Sequence, residues 1–290
     1  MDPHYARAYS GLADSYLILG IFALRPSHDV CPKARASAEQ ALRLDDSLAE
    51  AHNSLAVVKS LYEWDRCGSE REFRRALELD PSCAVAHQWY AVLLGALTRH
   101  EEAIAEVLPA RDLDPLSLVV HCMVAVTQMR ARQFDEAVNT CSKAIELDPG
   151  NPFGHLILAR CLDAQEQVRA ALVESENAVK LSGNALPHVA HLGFAYARSG
   201  DRVRARSVLE SLQTRAQTEY VSPFHFALIY MALAEFDLAF EFLDRSLQGK
   251  VMRMVSGELF DPPFDKLRPD RRFYDLVNRL GLPMRYDRVQ

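Results

Sequence analysis

Four histidines, His52, His87, His121 and His155, recur at intervals of 35, 34 and 34 residues. Imidazole binds metals and passes protons near neutral pH, so a periodic set of four invites a metal-site or proton-relay reading. Each histidine closes a similar stretch: LRLDDSLAEAH (42–52), LELDPSCAVAH (77–87), RDLDPLSLVVH (111–121) and IELDPGNPFGH (145–155). The array is therefore one position of a repeated unit. Equivalent atoms in stacked helical units lie about 10 Å apart, whereas zinc needs its nitrogens at ~2.1 Å. No two of the four can share a metal, and they are expected to be packing residues chosen for size and one polar edge.

Other candidate chemistry is sparse. His100-Glu101-Glu102-Ala103-Ile104 begins like a zinc-protease helix, but Ile104 stands where the second histidine is required, which leaves a helix start with acids near its positive end. There is no G-x-G-x-x-G, G-x-x-x-x-G-K-[ST] or G-x-S-x-G, so no motif cradles a phosphate or presents a serine nucleophile. The carboxylate pairs Asp45-Asp46 and Glu101-Glu102 fall at turns or solvated faces, and Cys141 falls at a helix core position. The expectation is a chain without catalytic residues, cofactor or metal.

The elements that carry these residues are helical. Of 290 residues, 49% are hydrophobic, 25% are charged and only 12 are glycine, which favours a folded, helix-rich chain. A net charge of -6 lacks the basic face that a nucleic-acid backbone requires. The six cysteines form no C-x-x-C pair and no charged-then-apolar leader precedes them, so reduced thiols and a cytoplasmic site are expected. The longest uncharged apolar stretches, YLILGIFAL (16–24) and FALIYMALA (226–234), are about half the length a bilayer needs. No membrane span is predicted.

Leu-Asp-Pro, or a near copy, falls at Leu44-Asp45-Asp46, Leu79-Asp80-Pro81, Leu113-Asp114-Pro115 and Leu147-Asp148-Pro149, with Leu181-Ser182-Gly183 as a degenerate fifth. An alanine precedes each by three residues (Ala41, Ala76, Ala110, Ala144, Ala178), and the period is 34. Tyr9, Leu12-Ala13 and Tyr16, then Leu192-Gly193 and Tyr196, fit the first helix of such a unit, and Ala103, Ala137, Ala171, Ala205 and Ala239 give close contact in the second. The pattern resembles tetratricopeptide repeats (TPR), each unit being two antiparallel helices. It predicts an all-α fold, a right-handed α-solenoid of seven repeats over 1–253: 6–48, 49–83, 84–117, 118–151, 152–185, 186–219 and 220–253. The extra residues around ALRPSHDVC are expected to lengthen the inter-helix turn of the first repeat, with Pro26 preventing simple helix extension. Residues 254–290 read as a linker and a capping helix carrying Phe273, Leu276, Val277 and Leu280 at helical spacing.

Four stretches go further: YEWDRCGSEREFRRALELDP (62–81), LDPLSL (113–118), YVSPFHFALIYMALAEFDLAFEFLDRSL (220–247) and FDPPFDKLRPDRRFYDLVNRLGLP (260–283). They resemble the C-terminal TPR array of bacterial multidomain signalling proteins. That resemblance implies an interaction scaffold or the regulatory portion of a protein with a cyclase, kinase or DNA-binding effector upstream. Met1-Asp2-Pro3 stands where a preceding repeat would close, which leaves the first repeat uncapped and open to self-association. The family's concave positions carry over to Asn53, Val57, Gln88, Val92, Cys122, Val126, Met129, Arg130, Leu156, Arg160, Phe194, Arg198 and Leu228. This strip implies a protein or peptide partner with apolar anchors and one or two acidic groups, because arginine holds carboxylates bidentately. The lysine and asparagine clamp of chaperone-tail binders is missing.

Overall fold

The computed structural model describes residues 5–283, so Met1-Asp2-Pro3 lies outside the described residues. The helices form antiparallel pairs in chain order: α1 (Ala6–Ile21) with α2 (Ser27–Leu44), α3 (Ala49–Val58) with α4 (Arg66–Leu79), α5 (Ala84–Ala96) with α6 (His100–Leu113), and α7 (Leu118–Arg130) with α8 (Phe134–Leu147). Then follow α9 (Pro152–Ala164) with α10 (Val168–Leu181), α11 (Leu186–Arg198) with α12 (Arg202–Arg215), and α13 (Pro223–Ala232) with α14 (Phe236–Gln248). Each second helix also packs on the next first helix, so the pairs stack into an all-α solenoid; no strand occurs among the described residues. No helix among them is long and apolar enough to cross a membrane.

The recurring residues set these elements locally. In α8 the buried positions Ala137, Cys141 and Ala144 are spaced by four and three, a stripe of small residues flanked by the partly buried Phe134, Val138 and Ile145. Proline opens α9 and α13, where its missing N–H costs nothing. Asp45 and Asp80, just past the ends of α2 and α4, accept from the backbone N–H and hydroxyl of Ser47 and Ser82, turning the chain into the next helix. Within the pairs, Thr98, Arg132, Glu166, Gly200 and Ala234 all have positive φ, the left-handed turn that glycine makes most readily.

Two local expectations change. In the first repeat the extra residues lengthen the helices to 16 and 18 residues, and the turn between them is only 22–26. Pro26 sits at the N-cap of α2, a position that demands no N–H, so it starts that helix rather than preventing its growth. The second repeat has one residue more than the next, and a π-turn over Lys59–Glu63 absorbs it, ending at Trp64 with φ 62°.

Past α14 the chain is not a free linker. Residues 251–267 run against the first helices through short 3₁₀ turns at Met252–Met254, Glu258–Phe260 and Pro262–Leu267. Helix α15 (Arg271–Arg279) then lies on α14: Arg272 stacks 4.3 Å over the Phe240 ring and pairs with Asp237, while Arg279 pairs with Asp244 at 2.6 Å. Phe273, Leu276 and Val277 are buried in one apolar cluster with Phe240, Leu243 and residues of the first three repeats. The same segment reaches the start of the array. The Cys31 thiol lies 3.6 Å from the Met252 sulfur, Lys250 sits over the Tyr62 and Trp64 rings, and Arg66 donates to the Leu280 carbonyl at 2.9 Å. The first repeat, expected to lack a neighbour, thus has the returning chain against α1.

Candidate interaction groove

The histidines are joints within repeats. His52, His87 and His155 each place Nδ1 at 2.7, 2.8 and 2.5 Å from Glu72, Glu106 and Glu174 of the paired second helix. Their Nε2 atoms meet the carbonyls of Asp46, Pro81 and Pro149 in the preceding turn at 3.0–3.1 Å. His121 keeps the turn contact, to the Pro115 carbonyl at 2.9 Å, but Thr140 stands where the acid would be. The polar edge foreseen for these residues is thus a two-ended clamp, and its acid lies 19 or 20 residues downstream in the sequence. The hydrogen bond from His52, with help from Lys59, pushes Glu72 down to about 2, and the one that His87 donates to Glu106 raises His87. Among the described residues no group of three or more His, Cys, Asp or Glu is arranged to hold a metal.

The thirteen strip residues are all buried or half-buried, so the strip is not an open face. Arg130 and Arg160 converge on one carboxylate of the returning chain. Arg130 Nε donates to Asp261 Oδ1 at 2.9 Å and Arg160 Nη2 to Asp261 Oδ2 at 2.5 Å. Arg130 Nη1 also donates to the Ser256 carbonyl at 2.8 Å, and Arg160 lies 3.7 Å from Glu258, which Arg253 holds at 2.9 Å. Met129, Phe194 and Leu228 line, with Arg160 and Phe264, a cavity of about 30 Å³, room for about one water. Val57 belongs to the same apolar cluster as the returning chain.

Other strip residues do different work. Cys122 and Val126 pack with Ala137, Cys141 and Ile157 in the core of the middle repeats, so Cys122 faces its neighbouring helices rather than the groove. Burial in the same core pushes the Cys161 thiol up to about 12, so it stays neutral. Arg198 does not join Arg130 and Arg160; it turns to Asp163 and Glu166, each at 2.8 Å. Asn53, Gln88, Val92 and Leu156 are buried, and Asn53 Oδ1 has no hydrogen-bond partner.

The charge balance is that of a chain-holding groove. Burial works to raise Asp261, but Arg130 and Arg160 outweigh it and hold the carboxyl below its ordinary range. Burial, aided by Arg160 and Arg253, pushes His191 down to about 3, and burial with Arg253 alone takes His225 to about 3. These imidazoles stay neutral, and the cationic pole belongs to the arginines. Glu258 and Asp261 escaped sequence reasoning because they sit outside the 34-residue register. Asp163 and His191 did carry a signal, lying three residues from Arg160 and Phe194 on the same helix face.

Residues 119–151 match a tetratricopeptide-repeat family model. The fold is that of a TPR solenoid. Among solved structures, the TPR chain from Parabacteroides merdae superposes with a TM-score of 0.58 at 13% identity, covering 89% of this chain and 99% of that one. PilF of Pseudomonas aeruginosa gives 0.51 at 22% identity, covering 79% of this chain and 99% of its own. PilW, described as a type IV pilus biogenesis factor, gives 0.57 at 18%, covering 79% and 98%. At these identities the likeness concerns the TPR fold alone. Comparison with curated protein sequences gives no match.

Proposed function

We propose that the chain is a non-catalytic protein-interaction scaffold whose first-helix groove takes an extended peptide with apolar anchors and one or two carboxylates. The observation that supports this is the Asp261 carboxylate held between Arg130 and Arg160, with Phe264 beside Phe224 at a centroid distance of 5.9 Å. Paired guanidiniums fit a carboxylate's geometry, and the apolar walls supply the burial that charge alone does not. The resemblance in its repeats to bacterial signalling proteins supports a regulatory role beside an effector domain.

A random peptide library selected on the full chain, and on its Arg130→Gln/Arg160→Gln variant, tests the reading. Enriched sequences that combine aromatic or aliphatic residues with a carboxylate, and that depend on both arginines, support it. No enrichment, or the same sequences from both proteins, would overturn it.

A further inference from the structure

The groove is already occupied by the chain's own residues 251–267, and the manner of occupation distinguishes a ligand from a structural core. Val251 N–H caps α14 at the Ser246 carbonyl, and past it the segment's backbone donors bond within it: Val255 N–H to Met252, Phe260 to Gly257, Asp261 to Glu258 and Phe264 to Asp261. The groove's hold is made by side chains, through Arg130 on Ser256 and Asp261, Arg160 on Asp261, and apolar contacts. Departure of the segment past Val251 would therefore strand no helix hydrogen bond. It would strand two guanidinium charges, which a replacement must neutralise.

The segment also fits by shape. Gly257 has φ +95°, and a Cβ there would meet Arg130 Nη1 at 3.0 Å and the Ala96 backbone at 3.4 Å, so the chain bends close to α5 and α7 before presenting Asp261. Its ends are fixed independently, by α14 on one side and by α15 against α14 on the other. A tethered segment of this kind competes at an effective concentration of roughly millimolar.

We propose that residues 251–267 are a built-in pseudo-ligand, seated in the groove in place of a partner, and that a partner displaces them. That partner presents the chemistry of Phe260-Asp261-Pro262-Pro263-Phe264: a carboxylate directly after an aromatic residue, and a second aromatic three residues later. The inference rests on the groove being a peptide site.

The test uses a fluorescein-labelled synthetic peptide with the sequence of residues 256–267 and the full chain, read by anisotropy. In the Asp261→Asn chain the tethered segment loses its charge while the free peptide keeps its own. Binding at least tenfold tighter than to the wild type is expected, and equal binding to both overturns the proposal. Phe264→Ala, which removes an anchor instead of a charge, provides a second variant, with circular dichroism confirming that the helices persist. Hydrogen exchange of the wild-type chain gives an independent reading: amides of 252–268 should exchange through an opening that leaves α9 and α11 protected. Exchange of both only on global unfolding would overturn displacement. An opening without peptide binding to any variant would instead sink the reading of the groove as a peptide site.

Discussion

Arg130→Ala offers a direct test of the groove's central contact. The Arg130 and Asp261 side chains are 6% and 7% exposed, so neither charge has water to fall back on. Truncating one partner of a buried pair costs about 3–5 kcal/mol, because it leaves the other charge uncompensated. Here Arg160 still holds the second oxygen of Asp261, while the Ser256 carbonyl loses its donor, so the loss belongs at about 3 kcal/mol, the low end of that range. At about 1.4 kcal/mol per decade, the segment's opening equilibrium rises about 100-fold. Native-state hydrogen exchange should show that acceleration in amides of 252–268 and much less in α8 and α10. The triple variant Arg130→Met/Arg160→Met/Asp261→Leu, which removes all three charges and keeps apolar volume, should recover most of it. Less than a threefold change in Arg130→Ala would mean that the pair does not hold the segment, and the account of the groove would fail.

Three further outcomes follow from the repeats. A histidine raised by its acid partner stabilises in the protonated form, so the His87–Glu106 clamp contributes fully below pH 6.5 and fades as pH rises through the raised value. In His87→Gln the fall in melting temperature between pH 6 and 8 should flatten, with about 1–2 kcal/mol lost at pH 6. Glu72 is depressed from 4.5 to about 2, so its contribution is present above pH 4.5 and lost as pH falls toward 2; Glu72→Gln should remove that part of the acid transition, about 1 kcal/mol after allowance for its exposed fraction. Gly193→Ala should destabilise by about 1–3 kcal/mol in urea titrations, since the added Cβ would lie 2.7 Å from Ile229 Cδ1 and 2.8 Å from Val208 Cγ1; unchanged stability would show that the α11–α13 contact is looser than described.

The repeat fold was legible because its signals are local. Asp45 and Asp80 end their helices by accepting from a serine two residues on, and Asp148 accepts in the same way from the Gly150 N–H. The π-turn at Lys59–Glu63 was visible only as an interval of 35 where 34 was due, a count that does not say where the extra residue goes. The strip put Arg130 and Arg160 on successive first helices, 30 residues apart and so at different positions of the 34-residue period, and it grouped them with Arg198, which pairs elsewhere. Asp261, the partner of Arg130 and Arg160, lies 131 and 101 residues away in a segment without helical or strand periodicity, so no local rule could bring it there. Cys122 shows the converse limit: position along a helix gives a face, but the neighbour that closes over that face, here Cys141 and Ile157, is decided by packing.

The returning chain also has a mechanical consequence. A stack of repeats that touch only their neighbours behaves as a coil spring, extending under load by small rotations at every interface. Contacts from Met252 to Cys31 and from Leu280 to Arg66 span 221 and 214 residues, and they brace the last pair of helices against the first two. Tension applied between the two ends would load this brace before any repeat interface, giving a stiff initial response and then a sudden yield into an elastic coil. An extra pair of helices inserted in mid-array would shift the brace by about 10 Å, one helix-packing distance, out of reach of its anchors. The number of repeats is thereby fixed by a strut that lies outside them.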